Sequence, residues 1–260
     1  MSELLELQNL AEKIAREAGE LLIERPSNFT LDQKSSLHDF ATQMDHESEA
    51  LITERIRTSR PDDGLLGEEG ANRESKSGYT WVIDPIDGTV NYLYGIPGWC
   101  ISIAVKDRDG YAVGVVFSPA TSMLWKASRG HGAYLNNQKI RCNDPIELNR
   151  ALLGTGFAYD ISKRNAQAEL VRHLLPQIRD IRRLGACAVD ISMVGSGSLD
   201  GFLEAGVFEW DFAAAVVIAT EAGAKVTRRR VWGGSKELII VAGPALHQEL
   251  EDRKSTRLNS

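Results

Sequence analysis

The sequence predicts an α/β fold whose first half is α+β, and two changes of pattern along the chain support this. Residues 1–142 pass from two helical patterns into short strands rich in Val, Ile, Trp and Tyr, which predicts a helix pair with an antiparallel sheet. Residues 143–251 alternate strands with helices, which predicts a layered α/β unit. Residues 252–260 carry no periodicity and are predicted to be a disordered tail.

The first half begins with two helices. Apolar residues recur at helical spacing from Leu4 to Leu22, until Pro26 and a polar loop end the pattern. A second helix is predicted from about Thr42, a suitable capping residue, to Pro61. The strands that follow are predicted in GLLGEE, YTWVIDP, WCISIAVKDRDGYAVGVVFSP and MLWKASRGHGAYLNNQKI, with a hairpin turn at Asp109-Gly110.

The second half is predicted as eight elements. In chain order they are a strand in ALLGTGFA, helices in AQAELVRHLLPQIRDI and AVDISMVGSG, a strand in LDGFLEAG, a helix in WDFAAAVVIATEAG closed by Gly223, strands in KVTRR and ELIIVAG, and a last helix in PALHQELED.

Composition limits the possible functions. The net charge of −6 provides no general basic field, so nucleic acid is an improbable partner. Three scattered cysteines without a CxxC pair indicate reduced thiols in a cytoplasmic protein rather than a zinc site or disulfide framework. Acidic residues in the first helix argue against a signal peptide, and no apolar run reaches the roughly 18 residues that a membrane helix needs.

Several acidic residues lie at the ends of predicted elements rather than on solvated faces. In WVIDPIDGTVNY, Asp84 ends a strand and Asp87 follows after one turn, so both carboxylates can face one point. By itself this motif fits a turn and a metal site about equally well. Alone, Glu68 and Glu69 read better as surface charges, and Asp211 as a first-turn residue favoured by the helix dipole.

The residues around Asp87 favour the metal interpretation. Carboxylate oxygens are the ligands that Mg²⁺ prefers. Gly88 removes a side chain where the backbone must approach another group closely. Thr89 begins a short helical segment whose free N–H groups could hold a phosphate. Carboxylates for cations beside amides for an anion indicate a phosphatase site.

These motifs together resemble the inositol monophosphatase family. GEE, WVIDPIDGTVNY and WDFAAAVVIATEAG agree with the family in order, spacing and content, and the resemblance extends from about residue 5 to 250. KSSLHDFATQMD (34–45) is similar to the family's Lys-containing loop and Thr-x-x-Asp element, and GSLDGFLEAG (197–206) to the strand before its Trp-Asp motif. The resemblance implies a layered αβαβα sandwich with the metal site in the first half, completed by the second.

The resemblance also implies roles for individual residues. Thr89 paired with Asp45 would orient the attacking water, Glu69 would support the site from outside the ligand shell, and Lys34 is a possible loop contributor. The ligands of two to three Mg²⁺ ions would be Glu68, Asp84, the carbonyl of Ile86, Asp87 and Asp211. Of these, Glu68 would also be catalytic. Glu68, Ile86, Asp87 and Asp211 would also contact the substrate. The amides of Gly88 and Thr89 would hold the phosphate, and Gly185, Ala186, Cys187 and Glu204 would line the alcohol side.

The implied activity is hydrolysis of a phosphate monoester by a metal-activated water without a covalent intermediate. Inositol monophosphate is the expected substrate, with lithium sensitivity and a homodimer expected from relatives. Gly185-Ala186-Cys187 stands where the family often has Gly-Ser-Ala, and Ala215 and Ala224 replace usual glycines. Histidinol phosphate, fructose bisphosphate and 3′-phosphoadenosine nucleotides therefore stay open. The basic clusters RDIRR (179–183) and RRR (228–230) leave a non-enzymatic nucleic-acid or protein-binding role as a second class, although a solvated surface explains them more simply.

Overall fold

The chain forms seven helices and three sheets within the residues that a computed structural model describes, which are 2–24, 31–33, 40–158, 160–230 and 237–255. The helices are α1 (Glu3–Ile23), α2 (Gln43–Ser59), α3 (Thr89–Tyr94), α4 (Ile161–Leu174), α5 (Cys187–Gly195), α6 (Glu209–Glu221) and α7 (Pro244–Ser255). The strands are β1 (Leu31–Gln33), β2 (Phe40–Thr42), β3 (Gly64–Gly67), β4 (Asn72–Arg73), β5 (Thr80–Asp87), β6 (Cys100–Asp107), β7 (Gly110–Ser118), β8 (Met123–Ser128), β9 (Ala133–Leu135), β10 (Gln138–Lys139), β11 (Leu152–Thr155), β12 (Asp180–Arg182), β13 (Gly201–Val207), β14 (Lys225–Arg230) and β15 (Glu237–Ala242).

The largest sheet has eight strands in the order β10-β9-β8-β7-β6-β5-β3-β4. Its neighbours are antiparallel, apart from the parallel pair β3 and β5. Helices α1 and α2 cover one face, because their apolar stripes bury Ile14 and Ile52 against strand residues such as Trp81. The predicted helix pair over an antiparallel sheet is therefore largely observed.

A five-stranded sheet in the order β12-β11-β13-β15-β14 forms a second β layer. Helices α5 and α6 lie between the two sheets, and residues 212–219 of α6 are all buried because both faces of the helix are covered. Helices α4 and α7 pack on the outer face, where Leu174 and Leu246 meet Leu203 and Ile240. The order of layers is αβαβα, which confirms the predicted fold class.

Several boundaries differ from the sequence prediction. The helix predicted in AQAELVRHLLPQIRDI ends at Leu174, because Pro176 follows in a 3₁₀ turn and has no amide hydrogen for an α-helical bond. Its last residues instead form β12, an edge strand parallel to β11. Helix α7 extends to Ser255, beyond the predicted boundary at 251, and residues 256–260 lie outside the described residues. No helix in the described part of the chain is long and apolar enough to cross a membrane.

Candidate active site

The predicted acidic cluster begins where strand β5 is interrupted. Asp84 pairs with Ser102 of β6, but Asp87 pairs with Cys100, so one extra residue bulges from β5 between them. Pro85 lies in this bulge, where its missing N–H costs no ladder bond. The bulge allows Asp84 and Asp87, which are both buried, to line the same pocket.

This pocket has a volume of about 280 Å³ and gathers most of the predicted site residues. The wall includes Glu68 from the loop after β3 and Asp211 from the first turn of α6, although 143 positions of sequence separate them. The predicted residues along it are Glu68, Asp84, Ile86, Asp87, Gly88, Thr89, Gly185, Ala186, Cys187, Glu204 and Asp211. Asp45 and Glu69 lie behind the wall, and Lys34 lies outside the described residues.

Backbone amides orient the aspartates. Asp87 Oδ1 and Oδ2 accept hydrogen bonds from the N–H groups of Cys187 (3.1 Å) and Ala188 (2.6 Å) at the start of α5, and Cys100 Sγ donates to Oδ2 at 3.7 Å. Asp211 Oδ2 accepts from Phe208 N at 2.7 Å. A carboxylate has about four acceptor positions, so these bonds leave lone pairs directed at the pocket.

The carboxylates repel one another strongly. Burial raises the pKa of Asp84 well above its ordinary value, and the charges of Glu68, Asp87 and Asp211 raise it further. Burial likewise raises the pKa of Asp87 to about 7, although the amides of Ala188 and Cys187 oppose the shift. Burial and the charge of Glu68 raise the pKa of Asp211. Four ionised carboxylates would be stable together here only with additional positive charge close to them.

Bound cations would supply this positive charge. Within the described ranges, no three acidic, histidine or cysteine side chains converge as a ready-made metal cage. Mg²⁺ does not require one, because it usually binds one or two carboxylates and completes its shell with waters and substrate phosphate. The oxygen-only groups of Glu68, Asp84, Asp87 and Asp211, held in one pocket, suit such an ion.

Thr89 lies at the first position of helix α3, and its hydroxyl does not cap that helix. Gly88 is the residue before the helix, and no side chain caps the end. Thr89 Oγ1 instead lies 3.2 Å from Asp45 Oδ1 and 3.0 Å from the carbonyl oxygen of Ile86, so its single proton can be donated to either. Asp45 is fully buried on α2. Thr89 therefore joins the pocket to an acceptor behind it.

Gly88 brings three segments into contact. Its φ of +90° is in the left-handed region, and an added Cβ would lie 2.9 Å from the Gly98 carbonyl oxygen and 3.1 Å from Ala186 Cβ. Asn91 strengthens the same junction by donating to the carbonyls of Gly98 (2.6 Å) and Leu184 (2.7 Å). The sequence prediction that backbone approaches closely at Gly88 is confirmed.

Glu69 occupies a different position from the other acidic residues. Its carboxylate lies 3.6 Å from Nδ1 of His46 and is nearly inaccessible to solvent. Beneath it, Glu49 of α2 accepts hydrogen bonds from the N–H groups of Glu69 and Ala71, both at 2.8 Å. Glu49 thus fixes the loop that carries Glu68. Sequence reasoning missed it, although its position one helical turn after Asp45 on the inward face of α2 was a usable signal.

The second-half wall holds two charged residues that no motif predicted, Arg183 and Asp190. Arg183 belongs to the RDIRR cluster. Burial and the charge of Asp87 raise the pKa of Glu204 to about 7, against the opposing charge of the Arg183 guanidinium. Two other arginines of the basic clusters have partners within the chain. Arg182 lies 2.6 Å from Asp180, and Arg228 packs over the rings of Tyr111 and Phe212.

A family comparison agrees with this geometry. The model of the inositol monophosphatase family matches residues 3–253. The chain belongs to the inositol monophosphatase family. Members of this family are generally metal-dependent, and family membership supports a phosphatase activity.

Individual relatives cover almost the whole chain. The inositol-1-monophosphatase SuhB of Mycobacterium tuberculosis is 38% identical over 265 residues, covering 94% of this chain and 91% of the relative. The Nus factor SuhB of Pseudomonas aeruginosa is 37% identical and covers 90% of each chain. Among solved structures, M. tuberculosis SuhB has a TM-score of 0.84 at 36% identity, covering 100% of this chain and 99% of that one. The Bartonella henselae suhB structure has a TM-score of 0.88 at 28% identity, covering 95% and 97%.

Proposed function

We propose that the protein is a Mg²⁺-dependent phosphatase that hydrolyses inositol monophosphate to inositol and phosphate. The observation that carries the proposal is the set of four mutually repelling carboxylates on one pocket, beside the backbone junction at Gly88. Such a set is destabilising for the protein alone, so its presence is best explained by cations that bind with the substrate.

Glu68, Asp84, Asp87, Asp211 and the Ile86 carbonyl would hold two to three Mg²⁺ ions. When bound, these ions would neutralise the phosphoryl oxygens and lower the pKa of a water. A phosphate monoester is itself anionic, so a pocket lined by free carboxylates would otherwise exclude it.

The chain's own groups would orient the substrate and move a proton. The amides of Gly88 and Thr89 would hold the phosphate at the start of α3. Thr89 would hydrogen-bond the attacking water and pass its proton toward Asp45, whose carboxylate lies 3.2 Å from the Thr89 hydroxyl. Because water attacks directly, no covalent phospho-enzyme is needed.

The opposite wall would receive the alcohol. Gly185, Ala186 and Cys187 line it with Glu204, whose carboxylate would accept hydrogen bonds from substrate hydroxyls. Gly156 makes room for this acid, because a Cβ there would overlap the Glu204 carboxylate. Relatives named inositol-1-monophosphatase support the same substrate.

A substrate panel tests the proposal. Phosphate release should be measured for inositol 1-phosphate, histidinol phosphate, fructose 1,6-bisphosphate, a 3′-phosphoadenosine nucleotide and an aryl phosphate. The highest kcat/KM is expected for inositol 1-phosphate. A kcat/KM at least tenfold higher for another compound of the panel would identify that compound as the better substrate. No phosphate release from any of them would reject the phosphatase activity.

A second candidate is a binding role separate from hydrolysis, favoured by relatives named Nus factor SuhB. The basic clusters are its only other support, and Arg182 and Arg228 already have partners within the chain. An RNA titration of the wild type beside Asp84→Asn separates the classes. Tight, sequence-selective RNA binding that is retained in Asp84→Asn would support the second role. RNA binding no tighter than that of an unrelated acidic protein would reject it.

A further inference from the structure

Helix α5 carries a carboxylate that the proposed reaction does not use. Asp190 lines the pocket and is only 2% exposed. Its Oδ1 is buried and has no hydrogen-bond partner in the described structure. A buried acceptor without a donor is costly, so a side chain of this kind facing a pocket indicates a ligand that supplies the donor.

Strand β11 explains why Asp190 and Glu204 face the same space. An added Cβ on Gly154 would lie 3.5 Å from Asp190 Cβ, and one on Gly156 would overlap the Glu204 carboxylate. Residues two apart in an extended segment face the same side. The two glycines of GTG therefore leave space for the side chains of Asp190 and Glu204 on the second-half wall.

The polar groups on this wall suit the hydroxyls of an alcohol. Arg183 provides a guanidinium, and Glu204 and Asp190 provide two carboxyl groups. Burial raises the pKa of both carboxyl groups, for Glu204 to about 7, so hydrogen bonding rather than net charge characterises this wall. Substrate hydroxyls can form hydrogen bonds with both acids and with the guanidinium.

We propose that Asp190 is a second hydroxyl-binding group beside Glu204, and that two different hydroxyls of the substrate's alcohol each bind one of these acids. This inference rests on the proposed phosphatase function. It assigns Asp190 to substrate binding and gives it no part in the phosphoryl transfer.

The variant Asp190→Asn tests the assignment, because it keeps the size of the side chain and replaces one carboxyl oxygen by an amide nitrogen. Loss of one buried hydrogen bond supports an expected fall in kcat/KM of about 10-fold on inositol 1-phosphate, with less than about threefold change on an aryl phosphate. Ser192→Ala is the matched control. Ser192 lies on the same helix, is equally buried and also lacks a partner for its hydroxyl, but it does not line the pocket. It should leave both substrates unchanged.

Single-deoxy analogues of inositol 1-phosphate supply a test that needs no variant to fold. In the wild type, removing either of at least two different hydroxyls should lower kcat/KM. In Asp190→Asn, removing one of these hydroxyls should no longer lower kcat/KM, and in Glu204→Gln the same should hold for the other hydroxyl.

The assignment is overturned if Asp190→Asn affects both substrates equally, if only one hydroxyl matters in the wild type, or if both variants abolish the same loss. A wild type inactive on the aryl phosphate and on inositol 1-phosphate would instead reject the phosphatase function itself.

Discussion

At the scale of single residues, Thr89 shows how one hydroxyl can be tested for a catalytic role. The structure removes the simplest structural role, since the hydroxyl does not cap α3. We expect Thr89→Ala to lower kcat by about 100-fold, the lower end for losing a proton-transfer group, with KM nearly unchanged. Thr89→Ser should recover most of the rate.

The pairing of Thr89 with Asp45 can be tested in the same way. Asp45→Asn should lower kcat to a similar extent, and the double variant should be hardly slower than either single variant, because the effects of residues that act as a unit are not additive. Steady-state kinetics on folded protein checks this, and normal turnover by Thr89→Ala would remove the residue from the mechanism.

Asp84 should show opposite effects on activity and stability. Its pKa is raised by burial and by three neighbouring acids, so Asp84→Asn removes a repelling charge without changing the shape of the site. We expect the variant to lose nearly all phosphatase activity and yet to unfold at a higher temperature than the wild type in chelator. Thermal unfolding of both proteins without metal measures this. A lower melting temperature for Asp84→Asn would mean that its interactions, such as the bond from Ile86 N, outweigh the repulsion.

At the scale of elements, the start of α3 depends on Gly88 for both backbone conformation and space. Gly88→Ala would force a side chain into a φ of +90° and against the Gly98 carbonyl oxygen. Gly78 is the matched control, because its φ of +94° is similar but nothing lies within 4 Å of an added Cβ. Both variants should lose about 1–2 kcal/mol of stability from the left-handed conformation. Only Gly88→Ala should also lose activity. We expect its kcat/KM to fall by about tenfold or more, the effect of losing roughly one hydrogen bond to the substrate. Equal kinetic effects of the two variants would count against a role for this junction in the site.

The junction between α2, the loop after β4 and β5 should respond to acid. Asp63 is buried and accepts hydrogen bonds from Arg60 Nε (2.9 Å), Ser77 Oγ (2.6 Å) and Trp81 Nε1 (2.9 Å). Burial raises its pKa, but these donors outweigh burial and hold the pKa below the ordinary 3.8. A lowered pKa in the folded state means that the stabilisation is present above about pH 4 and is lost as the pH falls below it. Asp63→Asn should therefore lose about 1.5–3 kcal/mol at pH 7, and its difference from the wild type should shrink as the pH falls below about 4. Urea unfolding at several pH values checks this, and a gap independent of pH would contradict it.

At the scale of the whole molecule, most of the fold and the first-half site could be predicted from local sequence. DPIDG and WDFAAA could be recognised because each places an acidic residue at the end of an apolar element and because, together with GEE, they resemble one family. Asp190 could not be found in this way, since one acid in AVDISMVGSG looks like any helix surface until the second sheet covers it. Strand β12 was missed for a similar reason, because its pairing with β11 depends on distant residues rather than on its own pattern. The features that could not be predicted from the sequence thus depend on packing between segments that are distant in the chain.

Metal dependence is the property in which the whole site acts together. Activity should be absent in chelator, return with millimolar Mg²⁺ and fall with Li⁺. Stability should follow, because burial raises the pKa of the ligand Asp87 to about 7 from an ordinary value of 3.8. Groups with a raised folded-state pKa bind more protons when folded, so the metal-free protein should lose stability as the pH rises from about 4 to 7. Bound cations replace those protons and stabilise by about 2.7 kcal/mol at a hundred times their Kd. The difference in melting temperature with and without Mg²⁺ should therefore widen from pH 5 to pH 8, and Asp84→Asn should narrow it. A difference that shrinks as the pH rises, or full turnover in excess chelator, would show that these carboxylates do not hold the cation.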